Sequence, residues 1–596
     1  MFAIQLRELC QDKKDNSFLI NGHLREICEA AYNKRLQLFY PLDHSRVPKE
    51  LEHWGLEITW SAKDVGCFDF DWRTRSGSLV LEQKPLTLFA HGDSNLRKRI
   101  ENRPLRPKAE LATAKHWLQE CLNHHAECGE TDDPHMPSRL IHVRNSYRNT
   151  LCLEDTKGTQ LVSYAALSYC WGDAGLNKFK TEKETLALRK QGFDLIQLPK
   201  TLQDAVKVTR TLGLDYLWVD ALCIIQDCEA DKNKEISKMW QIYHNATIVI
   251  SAAKSSHADQ GFLHERNLGS YYLSTWAIPW YEVDNEGNRF EDIAFCAEGE
   301  IRRVRLEPID LRAWTLQEHK LANRVLRFGS SQMVWRCAHC YKVDGGSNEE
   351  EDPDEFSNID EVEAFYEWKN IVKEFTTRSI TKAADRLPAF AAVAADYAER
   401  HNIRSDQYMA GLWTPWLAMG LLWYIKDVYD QATYPDALAV EDRSPTWSWH
   451  LARSGISWHE SIPYQGKSDL FKLVIKSWQV ELADDKVEYG RVERGSLEVF
   501  GALLKICLRG TQPVYAELNG SVVSAPIQIR WDSQDIPCEE EFYCLEVRRI
   551  NEFIPEGIVL KQNNGAFYRV GYFEPDGQKS APICPIWIHQ KTIVIK

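Results

Sequence analysis

The sequence predicts a multidomain α/β plus α+β protein built around a central parallel sheet. The chain has 596 residues, 44% of them hydrophobic and 27% charged, which is enough for several cores. Between residues 164 and 252 strand patterns alternate with helix patterns, and the tail from residue 496 alternates at the period of a strand. We therefore expect five segments: a mixed α+β region (1–110), a central domain (111–343), an acidic linker or loop (344–363), a helical segment (364–450) and a β-rich C-terminal domain (451–596).

The segments on either side of the central domain are assigned from pattern alone. Apolar and polar residues alternate over residues 56–60 and 68–72, as in half-buried strands. The stretch 344–363 combines glycines with a run of acidic residues and few apolar groups, which is typical of a solvated linker. Residues 362–399 show the periodicity of helices. Residues 1–110 carry no functional motif.

Composition limits the function classes. The chain has 72 basic and 86 acidic residues, a net charge of -14, which argues against binding to nucleic acid or to an anionic membrane surface. Its start meets Arg7 before any sustained apolar stretch, so we expect no secretory signal and a cytoplasmic location. In that compartment its 16 cysteines are expected to be reduced thiols.

One apolar run, residues 409–425, approaches the length of a membrane span. It contains Pro415 in mid-run and is crowded with Trp413, Trp416 and Trp423. Proline and bulky aromatic residues favour a buried helical hairpin over a span, so we expect no membrane span.

The central domain is predicted from strands and helices that follow one another in order. Residues 165–169, 216–219 and 246–252 are apolar runs of strand length, and residues 198–213 and 231–244 have helical periodicity. Pro199 near the start and Gly213 just past the end support the first of these helices. This alternation predicts a parallel sheet with right-handed crossovers.

Ligands in open α/β sheets bind where the loops leave the carboxyl ends of the strands. Here that edge is expected to contain Ser168, Trp171, Gly172, Asp173, Asp220 and Gln226. Asp220 allows two interpretations, because a carboxylate at a strand end either binds a ribose hydroxyl or ligand amine, or caps the following turn. The sequence leaves both open.

Three blocks of the chain resemble one known family. The first is Tyr164-Ala165-Ala166-Leu167-Ser168-Tyr169-Cys170-Trp171-Gly172, the second spans residues 198–227, and the third begins Arg312-Ala313-Trp314-Thr315-Leu316-Gln317-Glu318 and continues through residues 324–328. In order, spacing and content they resemble the heterokaryon-incompatibility (HET) domain of fungal proteins, with the signature over residues 164–318. Ala313 stands where the family usually has glycine.

The resemblance implies a role in non-self recognition by filamentous fungi, in which such domains trigger programmed cell death after incompatible cells fuse. It also implies partners among other incompatibility or self proteins, and a homo-oligomer formed through the HET domain. It does not supply a chemical activity. No nucleotide-binding glycine-rich loop or hydrolase triad is found in the sequence.

The first strand also looks like the opening strand of Toll/interleukin-1-receptor (TIR) domains, through Leu167-Ser168-Tyr169. That resemblance implies a TIR-like, flavodoxin-like sheet. In TIR domains that cleave NAD, a catalytic glutamate follows a tryptophan by four positions on a helix, and Trp314 and Glu318 have this spacing. Such a carboxylate stabilises the oxocarbenium-like state formed when the nicotinamide-ribose bond breaks.

Glu318 is therefore the candidate catalytic residue, with Trp314 and Arg312 as further candidate ligand-binding residues beside the sheet edge. NAD is the candidate substrate, and no firmly bound cofactor is expected. In the alternative, Trp314 is a core residue and Glu318 pairs with Arg312 or Arg324. About sixty residues separate Ala252 from Trp314, which weakens the TIR analogy.

A cysteine and histidine stripe raises the question of a metal. Cys121, His125 and Cys128 fall along one face of a predicted helix over residues 116–128. One helix cannot surround a tetrahedral ion, so a partner such as Cys28 or Cys152 would be needed, and we favour a buried helix face. A second cluster, Cys337-Ala338-His339-Cys340, has knuckle-like spacing but no evident second pair. No metal is expected.

Two functions remain open. The first is an effector enzyme that hydrolyses NAD or a related nucleotide when HET domains associate. The second is a non-enzymatic recognition and signalling module that acts through protein–protein interaction.

Overall fold

The structure is a computed structural model that describes residues 106, 108–128, 135–144, 149–157, 161–172, 179–266, 306–345, 361–426, 445–452, 454–459, 471–484, 487–508, 527–532, 541–549, 555–575 and 590–596, together with the backbone of the other strands named below. The chain divides into two compact units. Unit 1 contains Met1–Ile236, Asn245–Glu307 and Asn323–Asp352, and unit 2 contains Ser237–His244, Pro308–Ala322 and Pro353–Lys596.

Unit 1 is built from two sheets and the helices that connect their strands. In chain order its elements are β1 (Leu36–Leu38), β2 (Trp54–Trp60), β3 (Cys67–Thr74), β4 (Val80–Ala90), α1 (Leu111–His124), β5 (Arg139–His142), β6 (Thr150–Asp155), β7 (Tyr164–Ser168), α2 (Leu186–Gln191), β8 (Phe193–Asp194), α3 (Lys200–Leu212), β9 (Tyr216–Trp218), α4 (Asp220–Cys223), α5 (Glu229–Ile236), β10 (Ile248–Ser251), β11 (Thr275–Val283), β12 (Arg289–Glu298), β13 (Arg324–Phe328), β14 (Met333–Cys337), β15 (Cys340–Val343) and β16 (Asn348–Glu350). Two further helices of this stretch, α6 (Met239–His244) and α7 (Trp314–Lys320), belong to unit 2.

The first sheet of unit 1 is antiparallel, in the order β1-β2-β3-β4-β12-β11. Strands β2 and β3 confirm the strands predicted at residues 56–60 and 68–72. The hairpin β11–β12 lies in the long stretch between Ala252 and Trp314 and pairs with β4. That insertion therefore completes the N-terminal sheet, and the boundary predicted at residue 110 does not separate two units.

The second sheet has ten strands, in the order β16-β15-β14-β13-β10-β7-β9-β5-β6-β8. Its centre is parallel, because β7 pairs in parallel with β9 and β10, and β10 with β13. The parallel strands confirm those predicted between residues 164 and 252. The flanking strands run antiparallel: β5 pairs with β6, and β13 through β16 pair in sequence. Strands that are close in sequence commonly pair in this way. The sheet is thus mixed, where a purely parallel one was predicted.

The first predicted helix of the central domain is confirmed as α3. Its C-cap, Gly213, has a positive φ of 91°, in the left-handed region where glycine meets no steric penalty. The helix predicted over residues 231–244 is instead two short helices, α5 and α6, which belong to different units. Helical periodicity continues through the break between them and does not reveal it.

Unit 2 combines helices with a β-rich region. After α6 and α7 its elements are α8 (Glu361–Thr376), α9 (Ala391–Arg400), β17 (Tyr408–Met409), β18 (Leu412–Trp413), α10 (Leu417–Gly420), β19 (Tyr424–Ile425), β20 (Ile456–Ser457), β21 (Val474–Leu482), β22 (Val492–Leu508), β23 (Val514–Leu518), β24 (Ser521–Ser524), β25 (Ile527–Trp531), β26 (Glu541–Arg549), β27 (Pro555–Asn563), β28 (Ala566–Pro575) and β29 (Gln590–Ile595).

The strands of the C-terminal region close into a barrel. Strand β22 pairs with β26, β26 with β27 and β27 with β28, while β29 pairs with both β22 and β28 and so closes the ring. A single hydrophobic core contains Trp368 and Phe390 from the helices and Leu497 and Ile558 from the barrel. The helical segment and the β-rich region, predicted as separate domains, therefore form one unit.

The apolar run at residues 409–425 is buried but is not the predicted helical hairpin. It consists of the short strands β17, β18 and β19 with the one-turn helix α10 between them. Ala410 and Gly411 both have positive φ, 47° and 95°, which suits a tight turn between β17 and β18. Among the residues that the structure describes, no helix combines the length and apolar composition that a membrane span requires.

The acidic stretch begins within the fold and not in a linker. The carboxylate of Asp344 lies 2.5 Å from the guanidinium of Arg266 and accepts the backbone N–H of Met333. Strand β16 then pairs with β15, and α8 begins at Glu361. The predicted linker at 344–363 therefore starts too early, because negative charge alone does not reveal a buried partner such as Arg266.

Candidate ligand site at the carboxyl edge of the parallel strands

The four parallel strands bring their carboxyl ends to one edge of unit 1. Their spatial order β9-β7-β10-β13 is 2-1-3-4 in chain order, the order of the first four strands in flavodoxin-like sheets. The chain passes from β7 to β9 on one side, and then from β9 back across β7 to β10 on the other side, so the strand order reverses between β7 and β10. Ligands in such sheets bind at this reversal. Ser168 and Ser251 face each other there, in register and fully buried.

Trp171 and Asp220 meet at this edge. The indole Nε1 of Trp171 donates a hydrogen bond to Oδ2 of Asp220 at 2.8 Å, and both residues are half-buried. The other carboxylate oxygen of Asp220 accepts the backbone N–H of Ala221 at 2.6 Å, in the first turn of α4. Asp220 thus accepts a backbone N–H in the first turn of α4 with one oxygen and holds the tryptophan ring with the other.

Gln226 holds the loop that follows α4. Its Nε2 donates to the carbonyl oxygens of Asp220 and Ile224, at 3.0 and 3.2 Å, and its backbone N–H donates to the carbonyl of Thr181. The side-chain amide therefore supports the turn that carries Asp220.

The loops after β7 and β10 touch at Gly172. This residue has φ of 88°, and a Cβ placed on it would lie 2.6 Å from Cβ of His257, too close for any side chain. The backbone N–H of Ala258 donates to the carbonyl of Trp171. Within the described part of the chain, Nδ1 of His257 and the buried hydroxyl of Ser251 have no hydrogen-bond partner. The sequence offered no signal for His257 beyond its place after the third strand.

Asp204 on α3 anchors the loop that carries His257. Its Oδ2 accepts the backbone N–H groups of Phe262 and Leu263 at 2.8 and 3.0 Å, and Oδ1 pairs with Lys200. The carboxylate is nearly fully buried. It thereby fixes the far end of the loop after β10 against the crossover helix.

Replacing Asp204 by Ala is expected to lower the free energy of unfolding by about 1–3 kcal/mol, because it leaves two backbone N–H groups without an acceptor. Hydrogen exchange of the Phe262 and Leu263 amides should accelerate in the variant. Asp227→Ala, which removes an exposed acceptor for the Lys183 N–H, is the matched control. Equal exchange rates in the two variants would contradict the anchoring role.

Lys254 adds a positive charge near the same edge. Its backbone N–H donates to the carbonyl of Phe328 at the end of β13, and its ammonium donates to the carbonyl of His264 at 3.0 Å. Burial, followed by the charge of Arg266, lowers the pKa of Lys254 to about 8.

Three of the remaining predicted residues belong to unit 2. Arg312, Trp314 and Glu318 belong to unit 2, where Trp314 packs against the shared core and Glu318 is 7% exposed. The carbonyl of Arg312 accepts a hydrogen bond from Arg378 at 3.2 Å. Asp173 lies outside the described residues. The expectation that Trp314 and Glu318 join Trp171 and Asp220 stays a prediction.

The fold brings a further potential metal ligand to the Cys121 stripe. Its ligand atoms converge with the thiol of Cys337, a residue of the second cysteine cluster, and not with Cys28 or Cys152. Each cluster was judged by its own spacing, which does not show that the fold brings the two together.

Unit 1 thus defines an α/β domain whose parallel core ends in an edge of polar and aromatic side chains. Residues 164–318 match the family model described as Heterokaryon incompatibility protein (HET). The chain therefore contains a HET domain over residues 164–318. Searches of the curated proteins and of the solved structures found no match.

Proposed function

We propose that this protein is an effector of heterokaryon incompatibility in a filamentous fungus, and that its HET domain binds a nucleotide such as NAD at the carboxyl edge of β7, β9 and β10. One observation carries the proposal: Trp171 and Asp220 are hydrogen-bonded to each other at the carboxyl edge of β7 and β9, next to the reversal of strand order between β7 and β10. This is where open α/β sheets bind nucleotides.

The residues at the edge match the parts of a dinucleotide. An aromatic ring such as Trp171 stacks on a base, and Asp220 fixes the orientation of that ring. The unpartnered Ser251 hydroxyl and His257 Nδ1 can bind ribose hydroxyls or phosphate oxygens. Lys254 supplies a positive charge for a diphosphate.

The proposal assigns NAD cleavage to Glu318, as the TIR-like spacing from Trp314 implies. Both residues lie on α7, and four residues apart on a helix places them on one face. A buried carboxylate beside an aromatic ring stabilises an oxocarbenium-like state more strongly than an exposed one, because water does not screen it.

The second candidate function is a non-enzymatic recognition module. Two observations favour it: both carboxylate oxygens of Asp220 already accept intramolecular hydrogen bonds, and strand β21 exposes apolar side chains, with Val474 53% and Trp478 43% exposed. Exposed tryptophan is typical of surfaces that bind proteins. In this interpretation the sheet edge is a structural support and β21 contacts the partner.

Measurements of NAD and of viability in fungal cells that express the full chain separate the two functions. We expect the wild type to lower cellular NAD and kill cells, and Glu318→Gln to abolish both effects with little change in side-chain volume. Glu229→Gln removes an 82% exposed carboxylate and should behave as wild type.

Two results would contradict the enzymatic function. If Glu318→Gln leaves both NAD loss and death intact, Glu318 is not the catalytic residue. If purified protein consumes no NAD at any concentration and the expressed protein still kills, the recognition module is favoured. In that case Trp478→Ala, and not Glu318→Gln, should reduce killing.

A further inference from the structure

Four potential metal ligands converge in unit 1, away from the sheet edge. They are Cys121 on α1, His125 and Cys128 just after it, and Cys337 at the end of β14. Their ligand atoms all lie within 4.8 Å of one another, and Cys337 Sγ lies 3.5 Å from Nδ1 of His125. The three thiols are at most 3% exposed.

These distances suit a tetrahedral metal ion. With metal–sulfur bonds of about 2.3 Å and metal–nitrogen bonds of about 2.0 Å, the ligand atoms of a tetrahedral zinc site are roughly 3.5–3.8 Å apart. A disulfide needs its sulfur atoms about 2.05 Å apart, and the three thiols, those of Cys121, Cys128 and Cys337, are all free. Three cysteines and one histidine are a common ligand set of structural zinc sites.

Local structure explains how the ligands come together. Helix α1 ends at His124, and the chain then tightens into a 3₁₀ turn over Ala126–Cys128. Cys128 therefore leaves the straight stripe that the sequence predicted. The fourth ligand comes from the turn between β14 and β15, and α1 packs against β14. The α1 segment thus supplies three ligands, and β14 supplies the fourth.

The surroundings balance the charge of such a site. One Zn²⁺ with three thiolates and a neutral histidine carries a net charge of -1, which is costly to bury alone. The buried guanidinium of Arg324 supplies the opposite charge, since its Nε donates to Cys121 Sγ at 3.2 Å. Arg324 also donates to the carbonyl of Cys128. Hydrogen bonds of this kind orient ligands around metal sites.

We propose that Cys121, His125, Cys128 and Cys337 bind one Zn²⁺ ion that ties α1 to the β14–β15 turn. All four positions are filled by protein, so the site is structural and leaves no open position for a substrate. Cys340, whose Sγ lies 3.7 Å from that of Cys337, is outside the ligand set and accepts or donates a hydrogen bond to it. The proposal is independent of the nucleotide site at the sheet edge.

Elemental analysis of the purified full chain tests the site. We expect one zinc per chain in the wild type, and at least about tenfold weaker zinc binding in Cys337→Ser. Cys228→Ser, at a half-buried free cysteine elsewhere in unit 1, should keep the full zinc content. Removing the ion with a chelator should lower the melting temperature of the wild type but not that of Cys337→Ser.

Cobalt spectroscopy keeps the test decisive if Cys337→Ser fails to fold. Replacing zinc by Co²⁺ in the full chain should give the visible bands of a tetrahedral thiolate site. His125→Cys should retain the metal and shift those bands as expected for a fourth thiolate. A wild type without zinc, an octahedral cobalt spectrum, or a native disulfide within the four residues would overturn the proposal. So would loss of zinc in Cys340→Ser together with full zinc in His125→Asn.

Discussion

Replacing Glu556 by Leu is expected to lower the free energy of unfolding by about 3–5 kcal/mol, because it leaves a charged arginine buried without a counter-ion. Arg548 and Glu556 face each other across β26 and β27 with both side chains fully buried, and Arg548 Nε donates to Glu556 Oε2 at 2.5 Å. The hydroxyl of Tyr572 donates to the other oxygen of the same carboxylate at 2.5 Å. Glu556→Leu therefore leaves two buried donors, Nε of Arg548 and the hydroxyl of Tyr572, without this acceptor.

Chemical denaturation followed by circular dichroism measures this loss. The matched control is Glu541→Leu, which removes an exposed carboxylate paired with Lys505 between two strands of the same barrel, and should change stability by less than about 1 kcal/mol. The double variant Arg548→Met with Glu556→Leu should recover much of the stability, since no unpaired charge remains. Equal effects of Glu556→Leu and Glu541→Leu would contradict the burial argument.

His450 is expected to make unit 2 less stable in acid. Burial, with a contribution from the charge of Arg386, lowers the pKa of His450 from its ordinary 6.5 to about 3 in the folded protein. The folded pKa lies below the unfolded one, so unfolded chains bind more protons between these values. Above pH 6.5 the titration of His450 does not reduce the free energy of unfolding. As pH drops from there toward 3, it lowers that free energy by up to about 1.4 kcal/mol for each pH unit.

The variant His450→Asn isolates this contribution. Asparagine keeps a polar group near Ser448, whose hydroxyl lies 2.8 Å from Nδ1 of His450, but it does not titrate. Unfolding free energies measured from about pH 7 to about pH 4 should fall less steeply in the variant than in wild type. His116→Asn, at a side chain that is 76% exposed, should keep the wild-type slope. If His450→Asn also keeps it, the histidine is protonated in the folded state without cost.

The core strands and the first helix of the HET domain could be predicted because each is defined by a pattern of neighbouring residues in the sequence. The strands β7, β9 and β10 are short apolar runs, and α3 has an apolar stripe ended by Gly213. Their alternation also located the carboxyl edge, where Trp171 donates a hydrogen bond to Asp220. Local periodicity failed at residues 409–425, where tryptophan side chains fill a core between short strands and no long helix forms.

Contacts between distant parts of the chain could not be predicted. His125 and Cys337 are 212 residues apart, and neither cluster contains a sign of the other. The pairing of β4 with β12 likewise joins two segments that the sequence assigned to different domains. For the same reason the position of Glu318 relative to the sheet edge does not follow from its four-residue spacing from Trp314.

Two short stretches, Ser237–His244 and Pro308–Ala322, belong to unit 2, and the family match contains the first and most of the second. Leu316 of α7 is part of the same apolar core as Trp368, and the ring of His244 lies 2.9 Å from the carbonyl of Leu321. A fragment cut at residues 164 and 318 would therefore expose side chains, such as that of Leu316, that residues beyond position 361 bury in the full chain. Residues 164–318 are therefore not expected to fold independently in this chain. Moving them into another protein would transfer the motifs without part of the hydrophobic core that stabilises them.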